Sequence, residues 1–297
     1  MDIRVLKYFL AVAREESITK AAETLHMTQP PLSRQLKELE NEVGRQLLIR
    51  GSKKVTLTEE GVLLRKRAEE MVSLMEKTMS ELSSSDKNIS GDIHMGGGET
   101  EAMSIIAKVA KDLQQEYPLI RYHIYSGDGS HITEKLDKGL IDFALLVEPF
   151  DVSKYDFIKL PIRDTWGVLM RKDSPLAEKD VICPEDLWDK PLIISQQTSV
   201  SDEMMAWLQK DISQLNIVLT YELLYNASRF VKMGFGYAIA LDKLINTEGD
   251  RHLCFRPLYP VAEAGLCIAW KKYQIFSKAS AEFLKRLQKE FSDTAQM

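Results

Sequence analysis

The chain has 297 residues, 44% hydrophobic and 28% charged, which predicts two or three globular domains, and no apolar run reaches the ~18–20 residues of a membrane span. The N-terminal apolar run Val5–Ala13 holds Lys7 and lacks a small-residue cleavage site, and Cys183, Cys254 and Cys267 are scattered, so a reducing cytoplasm is expected and a disulfide framework or zinc site is not. The net charge of −5 is uneven: residues 1–65 carry 11 basic and 9 acidic side chains and the remainder 28 and 35, so a mildly basic head precedes an acidic body.

In the head, Leu6, Phe9, Leu10 and Ala13 follow helical spacing. A short second helix fits Thr19–Leu25, with Thr19 as N-cap and Ala21 and Ala22 allowing close approach of a neighbour. After a break at His26–Thr28, Thr28 is the expected N-cap of a third helix whose first turn holds Pro30 and Pro31. Leu32, Leu36, Leu39 and Val43 give it one apolar face, and Gly44 a stop. Its other face carries Gln29, Ser33, Arg34 and Lys37, side chains able to reach base edges and phosphates. A hairpin follows, Leu47–Arg50 and Lys53–Thr58 around Gly51-Ser52, with Arg50, Lys53 and Lys54 at its tip. Two short helices, a tight turn, a polar third helix and a basic hairpin predict a winged helix-turn-helix.

The string YFLAVAREESITKAAETLHMTQPPLSRQLKELENEVGRQLLIRGSKKVTLTEEG resembles the N-terminal domain of LysR-type transcriptional regulators. The core AAETLHMTQPPLSRQLKELE, the segment GRQLLIR and the helix start LTEEG keep their order and spacing; the doubled Pro30-Pro31 is a mild departure. The resemblance implies that Gln29, Pro30, Ser33 and Arg34 meet the major groove, that Thr28 caps the helix and touches phosphate, and that Arg50, Lys53 and Lys54 lie on the wing.

Residues 59–90 read as a linker. Thr58 caps a helix with Glu59 and Glu60 in its first turn, where acids suit the helix dipole. Leu64, Ala68, Met71, Met75, Met79 and Leu82 form a seam close to a coiled coil, which predicts pairing with a second copy; packing on the chain's own body is the alternative. Ser83-Ser84-Ser85-Asp86 should end the helix in a joint.

From Gly91 the chain alternates. Strands are expected at 92–95, 121–125, 143–147, 165–170, 192–194, 217–222, 237–241 and 266–271. Helices are expected up to Glu116 and over 131–138, 200–210, 227–233 and 277–291. The order predicts two α/β lobes with mostly parallel sheets and helices on both faces, and polar loops at the strand ends 97–101, 126–128, 195–199 and 225–228 facing a ligand cleft. GDIHMGGG, KGLIDFALLVEP and VKMGFGYAIAL resemble LysR-type effector-domain segments. That resemblance implies a periplasmic-binding-protein-like effector domain, lobe one being 91–161 plus 268–297 and lobe two 162–267. It implies a small-molecule inducer near Thr100, Ser126, Gln196, Thr198 and Asn226, and a homodimer or homotetramer on promoter DNA that meets RNA polymerase if it activates. Glu99 and Glu101 bear on the ligand: a carboxylate facing the cleft favours a cationic or neutral inducer over an anion.

Catalytic signatures are lacking. There is no GxSxG, P-loop or HExxH string, Gly96-Gly97-Gly98 lacks dinucleotide spacing, and the five histidines show no metal-ligand spacing. His252 and Cys254 share one face of an expected strand and read as structural. No catalytic residue, metal or cofactor is expected. The alternative is a two-lobed small-molecule binder or enzyme without DNA recognition, which would lack salt-dependent DNA binding.

Overall fold

The structure, a computed structural model, describes residues 1–51, 54–83, 89–151, 153–196 and 202–292. The chain divides after Ser83 into two units.

The first unit is ordered by its apolar spacing. α1 (Ile3–Glu15) buries Leu6, Phe9 and Val12, and Asp2 caps it by accepting from the Arg4 N–H. α2 (Ile18–Thr24) is capped by Ser17 rather than Thr19, because the Ser17 hydroxyl accepts from the Lys20 N–H. Ala21 and Ala22 are buried, and His26 turns the chain through φ 52° into α3 (Gln29–Val43). Leu32, Leu36 and Leu39 join the α1 and α2 side chains in one core, whereas Val43, in the last turn, is exposed. Gly44 ends α3 at φ 71°, a left-handed position that suits glycine.

β1 (Leu48–Arg50) and β2 (Val55–Leu57) then pair antiparallel, Arg50 opposite Val55. The Glu40 carboxylate accepts from the N–H groups of Leu47 and Leu48, and the Val55 N–H donates to the Glu16 carbonyl, so the hairpin is tied to α3 and α1. Thr58 caps α4 (Glu59–Ser83), accepting from the Gly61 N–H at 2.9 Å. The seam on α4 is split. Leu64 packs into the head core, Ala68 is fully buried, and α4 lies on α1 with a Lys7–Glu76 ion pair, so part of the stripe expected to meet a second copy is used within the chain. Val62, Leu63, Leu74, Met79 and Leu82 remain exposed.

The second unit opens with β3 (Gly91–Gly97), α5 (Met103–Glu116), β4 (Ile120–Ser126), α6 (Gly129–Asp137) and β5 (Phe143–Val147). The long β6 (Tyr155–Arg171) leads to β7 (Leu192–Ser195), α7 (Asp202–Leu208), β8 (Ile217–Tyr221), α8 (Leu224–Lys232) and β9 (Tyr237–Leu241). β10 (Leu253–Pro257), β11 (Glu263–Lys271) and α9 (Lys278–Ser292) complete it. The strand order is β4-β3-β5-β11-β6-β9-β7-β8, with β10 also on β6. Each end is parallel, β4-β3-β5 and β8-β7-β9, but β11, β6 and β10 run antiparallel, so the sheet is mixed rather than mostly parallel. Residues 155–165 of β6 pair with β11, and residues 166–171 pair with β9 and β10, so one strand serves both halves.

Helices cover both faces. α5 and α9 bury Ile106, Leu113, Phe283 and Leu287 on one side of the first half, and α6 buries Ile132 and Leu136 on the other. In the second half α7 and α8 bury Met204 and Leu208 and Ala227 and Val231 in separate clusters. Two readings of the sequence change. Gly96 and Gly97 belong to β3, and a Cβ on Gly96 would sit 2.9 Å from the Ile132 and Ile141 side chains, so close packing explains these glycines better than a ligand loop. α8 begins at Leu224, which puts Tyr225 and Asn226 in its first turn rather than in a loop.

Candidate functional site

On the head, the outward face of α3 is polar. Thr28 occupies the N-cap with extended backbone, yet its side chain makes no capping hydrogen bond. Thr28, Gln29, Pro30, Arg34 and Lys37 are exposed and Ser33 is half-buried. Among the described residues Arg34 and Lys37 enter no ion pair, so both cations are available to an outside anion. Arg50, at the end of β1, donates to the Ser33 hydroxyl at 3.4 Å and lies 3.8 Å from Glu40, which ties the wing strand to α3. Lys54 pairs with Glu16 at 3.2 Å, and Lys53 lies outside the described residues. The residues singled out on α3 and β1 thus share one continuous surface.

In the second unit the strand ends of the two halves meet. Glu99, after β3, accepts from the Leu224 N–H at the start of α8 at 2.5 Å, so this carboxylate does face the opposite lobe. Glu101 is exposed. Thr100 is buried and its hydroxyl is committed, donating to Asp164 at 2.5 Å and accepting from the Ala102 N–H. Ser126, Gln196 and Asn226 are exposed at the ends of β4 and β7 and in α8; Thr198 lies outside the described residues.

Acidic groups gather here. Burial pushes the Asp164 carboxyl above the usual carboxylate range, against the Thr100 hydrogen bond, and nearby Asp242 adds to the rise. Burial also raises the Tyr221 phenol, with Glu99 contributing. Asp128 behaves oppositely: against the pull of burial, the His131 N–H and the Ser130 hydroxyl hold its carboxyl below the usual range. Glu222, just past β8, comes close to Asp128 and His131.

Asp164 and Glu222 escaped sequence reasoning because neither stands in a motif and each meets its neighbours only through folding. The Asp128–His131 spacing was a visible signal, but without Glu222 it reads as an ordinary helix cap. A separate depression of about 420 Å³ lies around β10 and is lined by Lys172, Thr247, Cys254 and Arg256. Arg256 there already donates to the carbonyls of Ala177, Lys179 and Phe255. Cys254 is buried while His252 is exposed, so the two do not share an environment.

Residues 3–62 match the family described as bacterial regulatory helix-turn-helix protein, lysR family, and residues 86–292 match the LysR substrate binding domain. The HTH-type transcriptional regulator BsdA of Bacillus subtilis (strain 168) is 39% identical over 146 residues, about half of each chain (49% and 50%). The Hca operon transcriptional activator HcaR of Escherichia coli (strain K12) is 28% identical over 92% of both chains. Full-length CbnR, solved with its target DNA, shares the fold at a TM-score of 0.75 and 17% identity, covering 97% of this chain and 99% of that one. HinK, a LysR family transcriptional regulator from Pseudomonas aeruginosa, shares it at a TM-score of 0.53 and 22% identity, covering 98% of each chain. The chain belongs to the LysR family of transcriptional regulators. It is a DNA-binding regulator with a substrate-binding domain for small-molecule effectors, and the enzyme reading falls away.

Proposed function

We propose that α3 enters the major groove with Gln29, Pro30, Ser33 and Arg34 at base edges, and that Thr28, Lys37, Arg50, Lys53 and Lys54 hold phosphates. The observation that carries this is the pair of unneutralised cations, Arg34 and Lys37, on the exposed face of a helix whose other face is core. Arg34→Ala should weaken specific binding and relax base preference at one position, costing about 1–3 kcal/mol. Titration of promoter fragments and their single-base variants checks this; unchanged affinity and preference would remove α3 from the groove.

A small effector sits between the lobes, near Thr100, Ser126, Gln196, Thr198 and Asn226. The lobes are 91–161 plus 268–297 and 162–267, following a DNA-binding domain of residues 1–58 and a linker of 59–90. Effector binding shifts the lobe equilibrium and with it the DNA-bound geometry. The carboxylate of Glu99 on the Leu224 N–H occupies the place an anionic effector would take, which favours a cationic or neutral one. The chain acts in the cytoplasm as a homo-oligomer, pairing through the exposed apolar residues of α4, and reaches RNA polymerase if it activates. Thr100→Ala should blunt the effector response while DNA binding persists, by a reporter assay and a binding titration on the same variant.

A further inference from the structure

Asp128 follows the first lobe's strand β4, and its Oδ1 lies 3.3 Å from Nδ1 of His131, in the first turn of α6. Glu222 follows the second lobe's strand β8. One donor atom from each of the three lies within 4.8 Å of the other two. Divalent transition metals bind imidazole nitrogen and carboxylate oxygen at about 2.0–2.2 Å, so two ligands of a tetrahedral ion stand about 3.3–3.6 Å apart. The Asp128–His131 edge already has that spacing. The Glu222 donor atom lies within 4.8 Å of both, so it has to close by at most about 1.5 Å, through a side-chain or lobe movement, to join.

The charge balance points the same way. No lysine or arginine forms an ion pair with Asp128, His131 or Glu222 among the described residues, and the Glu222 carboxylate has no hydrogen bond there. Glu99 adds a further carboxylate across the same junction. Two carboxylates and an imidazole, drawn from two lobes and left without a counter-cation, are a donor set for a borderline cation.

We propose that Asp128, His131 and Glu222 bind one divalent transition-metal cation of the zinc, cobalt or nickel type, which joins the lobes. The ion supplies the missing positive charge and, because its ligands come from both lobes, binds the closed arrangement more tightly than the open one. The inference rests on the effector-binding reading of this unit and names the chemistry of one ligand it takes.

The test uses the full chain, stripped of metal by a chelator. Titration with Zn(II) by calorimetry, and with Co(II) by visible absorption, should show one equivalent bound, a d–d spectrum of a nitrogen–oxygen site and a raised Tm. Glu222→Gln and His131→Gln, both at exposed positions, should each weaken binding at least ~10-fold. Glu248→Gln, on an exposed loop elsewhere, should not. Absence of binding by the wild-type chain, or wild-type affinity in both ligand variants, would overturn the site. Salt-dependent DNA binding is measured on the same stripped samples: if it persists while metal binding fails, only this inference is lost, and if wild-type DNA binding fails, the regulatory reading is lost instead.

Discussion

Asp164 shows how one side chain can be both a structural clamp and a liability. It is almost wholly buried, accepts from Thr100, and has its carboxyl raised first by burial. A raised carboxyl binds a proton more tightly in the folded than in the unfolded chain. Its contribution is therefore full below the unfolded value and is lost as pH rises through the folded one. Asp164→Asn keeps a hydrogen-bond acceptor and removes the titration. The difference in Tm between variant and wild type should grow in the variant's favour as pH rises from the ordinary carboxylate range, and a difference that is flat with pH would mean the group titrates normally. The loop that holds Glu99 and Thr100 is legible because it follows a strand and precedes a helix, and the family resemblance is what singles out Thr100. Their partners were not: Asp164 is 64 residues from Thr100 and Leu224 is 125 from Glu99, and no local pattern encodes such pairings.

At the scale of elements, the head was nearly transparent and the linker was not. Apolar spacing located α1 and α3 because each buries a single stripe against one small core. The cap of α2 was misplaced because Ser17 and Thr19 are chemically equivalent as caps and only backbone geometry chooses between them. The α4 seam leaves its partner open, a second copy or the chain's own body, because its spacing says that it needs a partner without saying which; α1, in the head, supplies part of it. The wing is open to a test of its own. Arg50 and Lys54 both sit beside glutamates, so their attraction to phosphate competes with internal pairs. Arg50→Ala with Lys54→Ala should weaken binding to all sequences alike and reduce the slope of log K against log salt by about one for each phosphate no longer held. A filter-binding series across salt concentrations measures it, and an unchanged slope would take the wing off the backbone.

For the molecule as a whole, alternation of strand and helix announced two α/β lobes, but the antiparallel centre stayed hidden. β6 is 17 residues long, and its first half mixes charged and apolar residues without the continuous apolar run of a buried parallel strand. α9, at the far end of the chain, completes the core of the lobe that the chain begins, with Phe283 fully buried and edge-on to Phe143 and Tyr122 at centroid distances of 5.4 and 5.9 Å. Phe283→Ala should cost about 3–5 kcal/mol, read by urea unfolding of the second unit. A loss under about 1 kcal/mol would mean that α9 is not part of that core. The placement of α9 also orders events during synthesis. The head, residues 1–83, can finish folding on the ribosome, whereas the first lobe must wait until α9 has been made. At about 5–20 residues per second that wait is tens of seconds. A nascent chain thus has a finished DNA reader well before it has a finished sensor, and a message truncated before α9 would yield a reader with nothing to instruct it.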